Sequence, residues 1–320
     1  MPDSLGALRR LGVQLDGAES TVFRGIRFIG AGTRVEADFP SGPGVAVRRT
    51  RLHRALMERA DEVGVRLLWG TRVTSCASGS VALDNQAVRC DWIIGADGQN
   101  SRVRSWAGLD RLRHESVRFG FRRHYRVAPW TDFTEIYWGS GLQLYVTAAG
   151  RSEVCVALIT RDSRVRLEQA LPQFPELCEK LAGATASTTE RGAVTASRSL
   201  RRVYRDRTIL IGDASGSVDA ITGEGLSLSF HQALALADAL ASGDLAAYQA
   251  EHRRLARRPQ FMARLLLLLD RFPHLRHRVL HVLASDPAIF GKLLAMHVGA
   301  IAPADFLLNG RLIGAANERG

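Results

Sequence analysis

Two short stretches hold residue types that could bind and orient a ligand. One runs Trp92-Ile-Ile-Gly-Ala-Asp97-Gly98-Gln-Asn-Ser101-Arg-Val-Arg104. The other runs Thr208-Ile-Leu-Ile-Gly212-Asp213-Ala214-Ser-Gly216 and continues to Gly223-Glu224-Gly225. Each sets an aspartate at the carboxyl end of an apolar strand, where open α/β sheets receive ligands. Each also sets glycine beside the aspartate, so a ligand can approach the backbone with no Cβ in the way. Gly223 and Gly225 fall where a helix begins, and the free N–H groups there form a partial positive end. Such an end stabilises negative charge, whether on a ring or on a phosphate. Asp213 would repel a phosphate and suits the hydroxyl groups of a sugar-like chain. Taken singly, an Asp-Gly after a strand is usually a turn; the two stretches together, in this order, are far more specific.

The elements that must position these residues can be read from periodicity. Leucines at 5, 8 and 11 mark a short N-terminal helix that closes at Gly12. Residues 22–29 and 35–39 alternate as strands around Gly30-Ala31-Gly32. A helix is expected over 49–63, with Leu52, Ala55, Leu56, Ala60 and Val63 on one face and Gly64 as its stop. Residues 65–69 read as a strand, 82–83 with 88–89 as a small hairpin, and 92–94 as the strand entering the first motif. Val117, Phe119, Phe121, Tyr125 and Val127 alternate with Arg118, Arg122, His124 and Arg126, which predicts a strand with one apolar and one basic face. Further strands are expected near 135–138, 142–147, 153–160 and 192–198, with a helix over 164–181. A buried strand at 208–211 leads into the second motif and a long helix, and the chain beyond about residue 245 is mainly helical.

Composition narrows the class. Of 320 residues, 46% are hydrophobic and 23% charged, ordinary for a globular chain and against disorder. The longest apolar run in the C-terminal half, 265–269, is far short of the ~20 residues that span a bilayer. With no apolar leader and four scattered cysteines (Cys76, Cys90, Cys155, Cys178) lacking metal-ligand spacing, the expected location is the cytoplasm. The net charge of +11 is carried almost wholly by arginine. No zinc spacing or aromatic-and-basic stacking pattern accompanies it, so no nucleic-acid partner is expected.

The paired motifs, separated by antiparallel strands, resemble FAD-dependent monooxygenases of the p-hydroxybenzoate hydroxylase type and their relatives the geranylgeranyl reductases. The match covers most of residues 1–242. The resemblance implies an α/β fold: a Rossmann-like FAD-binding domain with an inserted antiparallel sheet subdomain and a helical C-terminus. The segments implied are 1–110 and 201–245 for FAD, 111–200 for the substrate sheet, and 246–320 for the helices. An arginine-led helix in that family corresponds to Arg49. Its Asp-Gly motif, serving FAD and the nicotinamide donor, corresponds to Asp97, Gly98, Ser101 and Arg104. Its Gly-Asp motif, holding the ribityl chain and isoalloxazine edge, corresponds to Gly212, Asp213, Ala214, Gly223, Glu224 and Gly225. The implied cofactors are FAD and NAD(P)H.

Three departures refine this. The family opens with a strand, a Gly-x-Gly-x-x-Gly turn and a helix, and nothing like it precedes Asp3; Gly30-Ala-Gly32 lacks the context. The FAD domain is therefore expected to be incomplete, with exposed apolar sheet surface and weak FAD binding. Aromatic hydroxylases carry His and Pro within the Gly-Asp motif, where this chain has Gly216 and Ala220, more like geranylgeranyl reductases. The Trp-x-Trp-x-Ile-Pro motif of halogenases is absent. The expected reaction is NAD(P)H-dependent hydroxylation of a small organic or lipid-like substrate. The alternatives are reduction of an isoprenoid double bond and a non-catalytic remnant. The basic and apolar stretch from Arg257 to Arg278 reads as a helix with solvated arginines or as a surface in peripheral contact with a membrane or a long isoprenoid substrate. His274, His277 and His281, spaced i, i+3, i+7, read as a solvated face rather than a metal site.

Overall fold

The computed structural model describes residues 1–15, 20–30, 32–77, 79–84 and 86–302, without the side chains of 112–115. Helix α1 (Pro2–Arg10) is followed by strands β1 (Ser20–Phe23), β2 (Gly25–Gly30), β3 (Thr33–Asp38) and β4 (Gly44–Val47). Helix α2 (Arg49–Glu62) buries Leu52 and Ala55, as its periodicity requires. A small meander, β5 (Val73–Ala77), β6 (Ser80–Leu83) and β7 (Ala87–Arg89), precedes β8 (Ile93–Gly95) and the short α3 (Arg102–Trp106). Then come the long β9 (Leu112–Arg126), β10 (Phe133–Trp138), β11 (Leu142–Ala148) and β12 (Val154–Thr160). Short helices α4 (Leu167–Ala170) and α5 (Pro175–Lys180) lead to β13 (Thr185–Ala186), β14 (Arg191–Leu200), β15 (Tyr204–Arg205), β16 (Thr208–Leu210) and β17 (Gly216–Ser217). The chain ends in helices α6 (Gly225–Ser242), α7 (Leu245–Arg271), α8 (Pro273–Ser285) and α9 (Pro287–His297).

The large sheet runs β17-β14-β9-β12-β11-β10-β2-β3, with β13 also on β9. Its neighbours are antiparallel except β10 with β2. Both faces are covered, and alternation along the strands sorts the side chains. Phe28, Ile136 and Trp138 meet Leu266, Leu280, Phe290 and Leu294 of the C-terminal helices. Tyr137, Leu144, Val156 and Leu158 meet Leu167 and Leu177 of α4 and α5 on the other side. A separate parallel pair, β8 with β16, extended by β15, carries both sequence motifs at its carboxyl edge.

Several expectations needed correction. Residues 65–69 are not a strand, and Val65, Leu68 and Trp69 are exposed, as are Val63, Trp92 and Ile94. Among the described residues no strand lies beside β8 opposite β16, so the apolar pattern there has no neighbour to pair with. The helix expected over 164–181 is broken into α4, a 3₁₀ turn and α5 by Pro172 and Pro175, which deny the helix its N–H donors. The two faces of β9 are not apolar and basic: Arg118 is 3% and His124 8% exposed, while Val117 is 47% exposed. Of the Gly30–Gly32 turn, Ala31 lies outside the described residues; Gly30 pairs with Thr33 and closes the β2–β3 hairpin. His274, His277 and His281 all lie exposed on α8. No single described helix is long and apolar enough to cross a membrane; only α8 and α9 together pass by length and composition, and they are bent by 108°.

Candidate functional site

Asp97 follows β8 directly, and its carboxylate organises the loop. It accepts the Ser101 hydroxyl and the backbone N–H groups of Arg102 at 2.8 Å and Val103 at 3.2 Å. Ser101, 2% exposed, in turn caps α3 by accepting from the Arg104 N–H at 2.9 Å. Asp97 is thus spent on the start of α3, and what the loop offers a ligand is its backbone. Gly98 adopts φ +80°, and nothing stands within 4 Å of where its Cβ would be.

Arg104 ties the two motifs together. Buried at 6% exposure, it donates to Asp110 at 2.7 Å, to the Gln99 carbonyl at 3.0 Å and to the Ala214 carbonyl at 3.2 Å. The guanidinium therefore fixes the loop after β8 against the loop after β16. Arg198 of β14 also donates to the Gln99 carbonyl, and Gln99 Nε2 donates to the Val194 carbonyl at 2.6 Å. The sequence marked Arg104, but gave no hint of these distant partners.

The second motif forms a 3₁₀ turn over Gly212–Ser215. The Gly212 N–H donates to Gln232 Oε1 at 2.8 Å, and the Ser215 hydroxyl donates to the Gly212 carbonyl at 2.8 Å. His252 of α7 lies with Nε2 2.8 Å from the same hydroxyl; burial pushes its pKa down to about 4. Ala214 is fully buried. Asp213 is exposed, and among the described residues its carboxylate has no protein hydrogen bond given to it. The surrounding protein raises its pKa by desolvation, against the pull of Arg49. A carboxylate with no internal partner, near an arginine, is what a ligand rich in hydroxyl groups would complete.

Beyond it, Asp219 caps the Ala220–Thr222 turn by accepting the Ile221 N–H at 3.0 Å. Gly223 then takes φ +67° and α6 begins at Gly225, with no side chain capping it. Neither glycine has any atom within 4 Å of a Cβ position. These features adjoin a cavity of about 370 Å³ lined by Arg49, Leu52, Gly223, Leu226, Ile136 and Tyr145, among others. Open backbone, an uncapped helix start and an unpaired carboxylate fit the ring and ribityl parts of FAD. Arg49, Asp213, Gly223 and Gly225 would hold those parts, with Gly98 at the other loop. Glu224 is different: it is 1% exposed and lies against Arg258 (3.1 Å) and His297 (3.5 Å), contacts that sequence reasoning missed.

Arg122 and His124 also line the 370 Å³ cavity, and Arg48 joins it to an open groove of about 790 Å³. Arg51, Arg54, Arg126 and Arg151 line that groove, with Glu153 held by Arg48 at 2.7 Å. Arg118 takes no part in either. It lies in a buried network with Asp270, Gln143 (3.2 Å) and Asp219 (3.5 Å), so its role is structural.

The chain belongs to the family described as FAD binding domain, whose profile matches residues 2–256. It is 26% identical over 260 residues to a putative 2-heptyl-3-hydroxy-4(1H)-quinolone synthase, AqdB1, of Rhodococcus erythropolis, covering 74% of this chain and 67% of that one. It is 27% identical over 275 residues to a menaquinone reductase of Mycobacterium tuberculosis, covering 77% and 67%. The fold matches the structure of the flavin-dependent brominase Bmp2 with a TM-score of 0.77 at 18% identity, over 100% of this chain and 89% of that one. The protein is thus of the FAD-dependent monooxygenase and reductase family, with the fold of the p-hydroxybenzoate hydroxylase type.

Proposed function

We propose that the protein is an NAD(P)H-dependent flavin hydroxylase of a small, largely apolar organic molecule. Residues 1–110 and 201–245 would supply most flavin contacts, 111–200 the sheet facing the substrate, and 246–302 the helical cover; the rest of the segment expected to be helical, 303–320, lies outside the described residues. The observation that carries the reading is the unpartnered Asp213 carboxylate near Arg49, which itself lines the cavity bounded by Gly223 and Leu226. FAD, when bound, supplies the electron transfer that no side chain here can perform. Asp213 would accept hydroxyl groups of the ribityl chain, and the N–H groups opening α6 would stabilise negative charge on the ring. The sheet and α2 would keep water from the ring's face. The arginine-lined groove beside Arg48 suits the phosphates of a nicotinamide donor. A second reading, reduction of an isoprenoid double bond, is favoured by the almost wholly apolar cavity between the large sheet and helices α7, α8 and α9 and by the menaquinone reductase relative.

The test is titration of the full chain with FAD, followed by visible absorption, and then NADPH or NADH oxidation. Saturable binding with a perturbed spectrum, weakened at least tenfold by Asp213→Ala, supports the reading; a tenfold loss corresponds to about 1.4 kcal/mol, the size of one charged hydrogen bond. Folded protein that leaves the flavin spectrum unchanged removes it and favours a non-catalytic remnant.

A further inference from the structure

A cavity of about 250 Å³ lies beside the second motif, between β14, the short β17 and helices α6 and α7. It shares no lining residue with the flavin-side cavity, with the groove beside Arg48 or with the apolar cavity under α7, α8 and α9. Three arginines line it, Arg198, Arg253 and Arg257, and no aspartate or glutamate does. Arg198 is engaged by the Gln99 carbonyl and lies near Asp110, whose pKa it helps to lower. Arg253 donates to the Arg201 carbonyl at 3.1 Å, which leaves its charge uncancelled. Among the described residues neither Arg253 nor Arg257 has a salt bridge. Their field reaches the cavity wall: after burial, the charge of Arg253 is what lowers the pKa of His252, which lines the same cavity.

Gln232 calls for the same chemistry. It lines the cavity, is 1% exposed, and its Nε2 has no hydrogen-bond partner. The amide cannot be turned round, because the Gly212 N–H donates to Oε1 at 2.8 Å and an NH₂ group there could not accept. Ser215 and His252, on the same wall, are already bonded to each other at 2.8 Å. A buried donor without an acceptor is rare in native proteins, and the guanidinium groups around this one can only donate. An oxyanion supplies what both lack, an acceptor for Gln232 and a countercharge for the arginines.

We propose that this cavity binds a compact oxyanion, a phosphate or a small dicarboxylate, with one oxygen accepting from Gln232 Nε2 and the others paired with Arg253 and Arg257. At about 30 Å³ for each water-sized group, 250 Å³ has room for about eight non-hydrogen atoms. That admits phosphate or succinate and is too little for a dinucleotide. The site is independent of the flavin reading, since none of its lining residues is a proposed flavin contact.

Isothermal titration of the full chain without flavin, at fixed ionic strength in chloride, tests this with inorganic phosphate and with succinate in turn. The anion that binds more tightly names the source. Phenylglyoxal modification mapped by mass spectrometry locates the site, for the bound anion is expected to protect Arg253 and Arg257. Gln232→Glu keeps an acceptor for the Gly212 N–H and sets a carboxylate where the donor was. It should weaken the anion at least about tenfold, the size of one charged hydrogen bond. Arg253→Ala with Arg257→Ala, both at exposed positions, should do the same, and serves if Gln232→Glu fails to fold. Failure of both anions to bind, affinity unchanged in the folded variants, or protection confined to Arg51, Arg54 and Arg151 of the groove overturns the proposal.

Discussion

Replacing Arg118 with methionine should destabilise the protein more than any change at the exposed arginines. Arg118 is 3% exposed at the side chain and faces Asp270, 1% exposed, and Asp219, 4% exposed. Its removal leaves two buried carboxylates short of a cation. Breaking a buried pair from one side costs about 3–5 kcal/mol, because the stranded charge keeps its desolvation penalty. Asp270 retains Gln143 and Arg161, the latter at 3.0 Å but half exposed, which places the loss near about 3 kcal/mol. With an m-value of about 3 kcal/mol/M in urea, the midpoint should fall by about 1 M. Arg118→Met with Asp270→Leu should recover at least half of that loss, since apolar replacement of both partners is close to neutral. Asp219 also caps the turn that delivers Gly223, so the single variant should bind FAD less tightly than the double. A midpoint shift below about 0.3 M, or no recovery in the double variant, would refute the argument that this network is buried and coupled.

Other outcomes follow from the same site. His252 and His297 have pKa values lowered to about 4 by burial, so the stability they contribute is present above pH 6.5 and lost as pH falls toward 4. Each accounts for about 3 kcal/mol over that window, and His252→Gln should flatten the acid limb of urea midpoints by about half. Glu224 acts in the opposite sense: burial raises its pKa to about 8 against the pull of Arg258 and the N-terminal amine, so its contribution is full below pH 4.5 and lost as pH rises through 8. Glu224→Gln should therefore flatten the alkaline limb. Gly216 has φ +116°, and an added Cβ would stand 2.8 Å from the Arg198 carbonyl oxygen; Gly216→Ala should lower stability by about 2–3 kcal/mol, read as a fall in the thermal midpoint, with unchanged stability refuting the strained placement.

Both glycine-aspartate loops were legible because short-range signals define them: an apolar strand, then glycine where φ is positive, as at Gly98 and Gly212. Helix α2 was legible for the same reason, since its buried Leu52 and Ala55 need only the helical period. What failed depended on neighbours. Alternation along β9 gave its two faces, but only the packing of α7 with Asp270 decides that Arg118 faces inward. The apolar run at 65–69 has strand composition, yet pairing requires a partner at its side. Pro172 and Pro175 were visible breakers of the helix expected over 164–181 and should have divided it. The contact of Glu224 with Arg258 and His297 joins residues far apart in sequence, and no local pattern announces it.

The pairing of β8 with β16 also sets an order of assembly. Among the described residues, the strand that carries the Asp97 loop finds its only sheet neighbour more than a hundred residues downstream. Closing so long a loop is slow and brings no reward until the second strand arrives. On a ribosome, Ile93, buried in the folded protein, would emerge well before the Thr208 strand, with its apolar side chain uncovered. The Arg104 clamp to Ala214 can form only after that, so the two halves of the site mature together and late. Chaperone dependence during synthesis is the natural companion of such a topology.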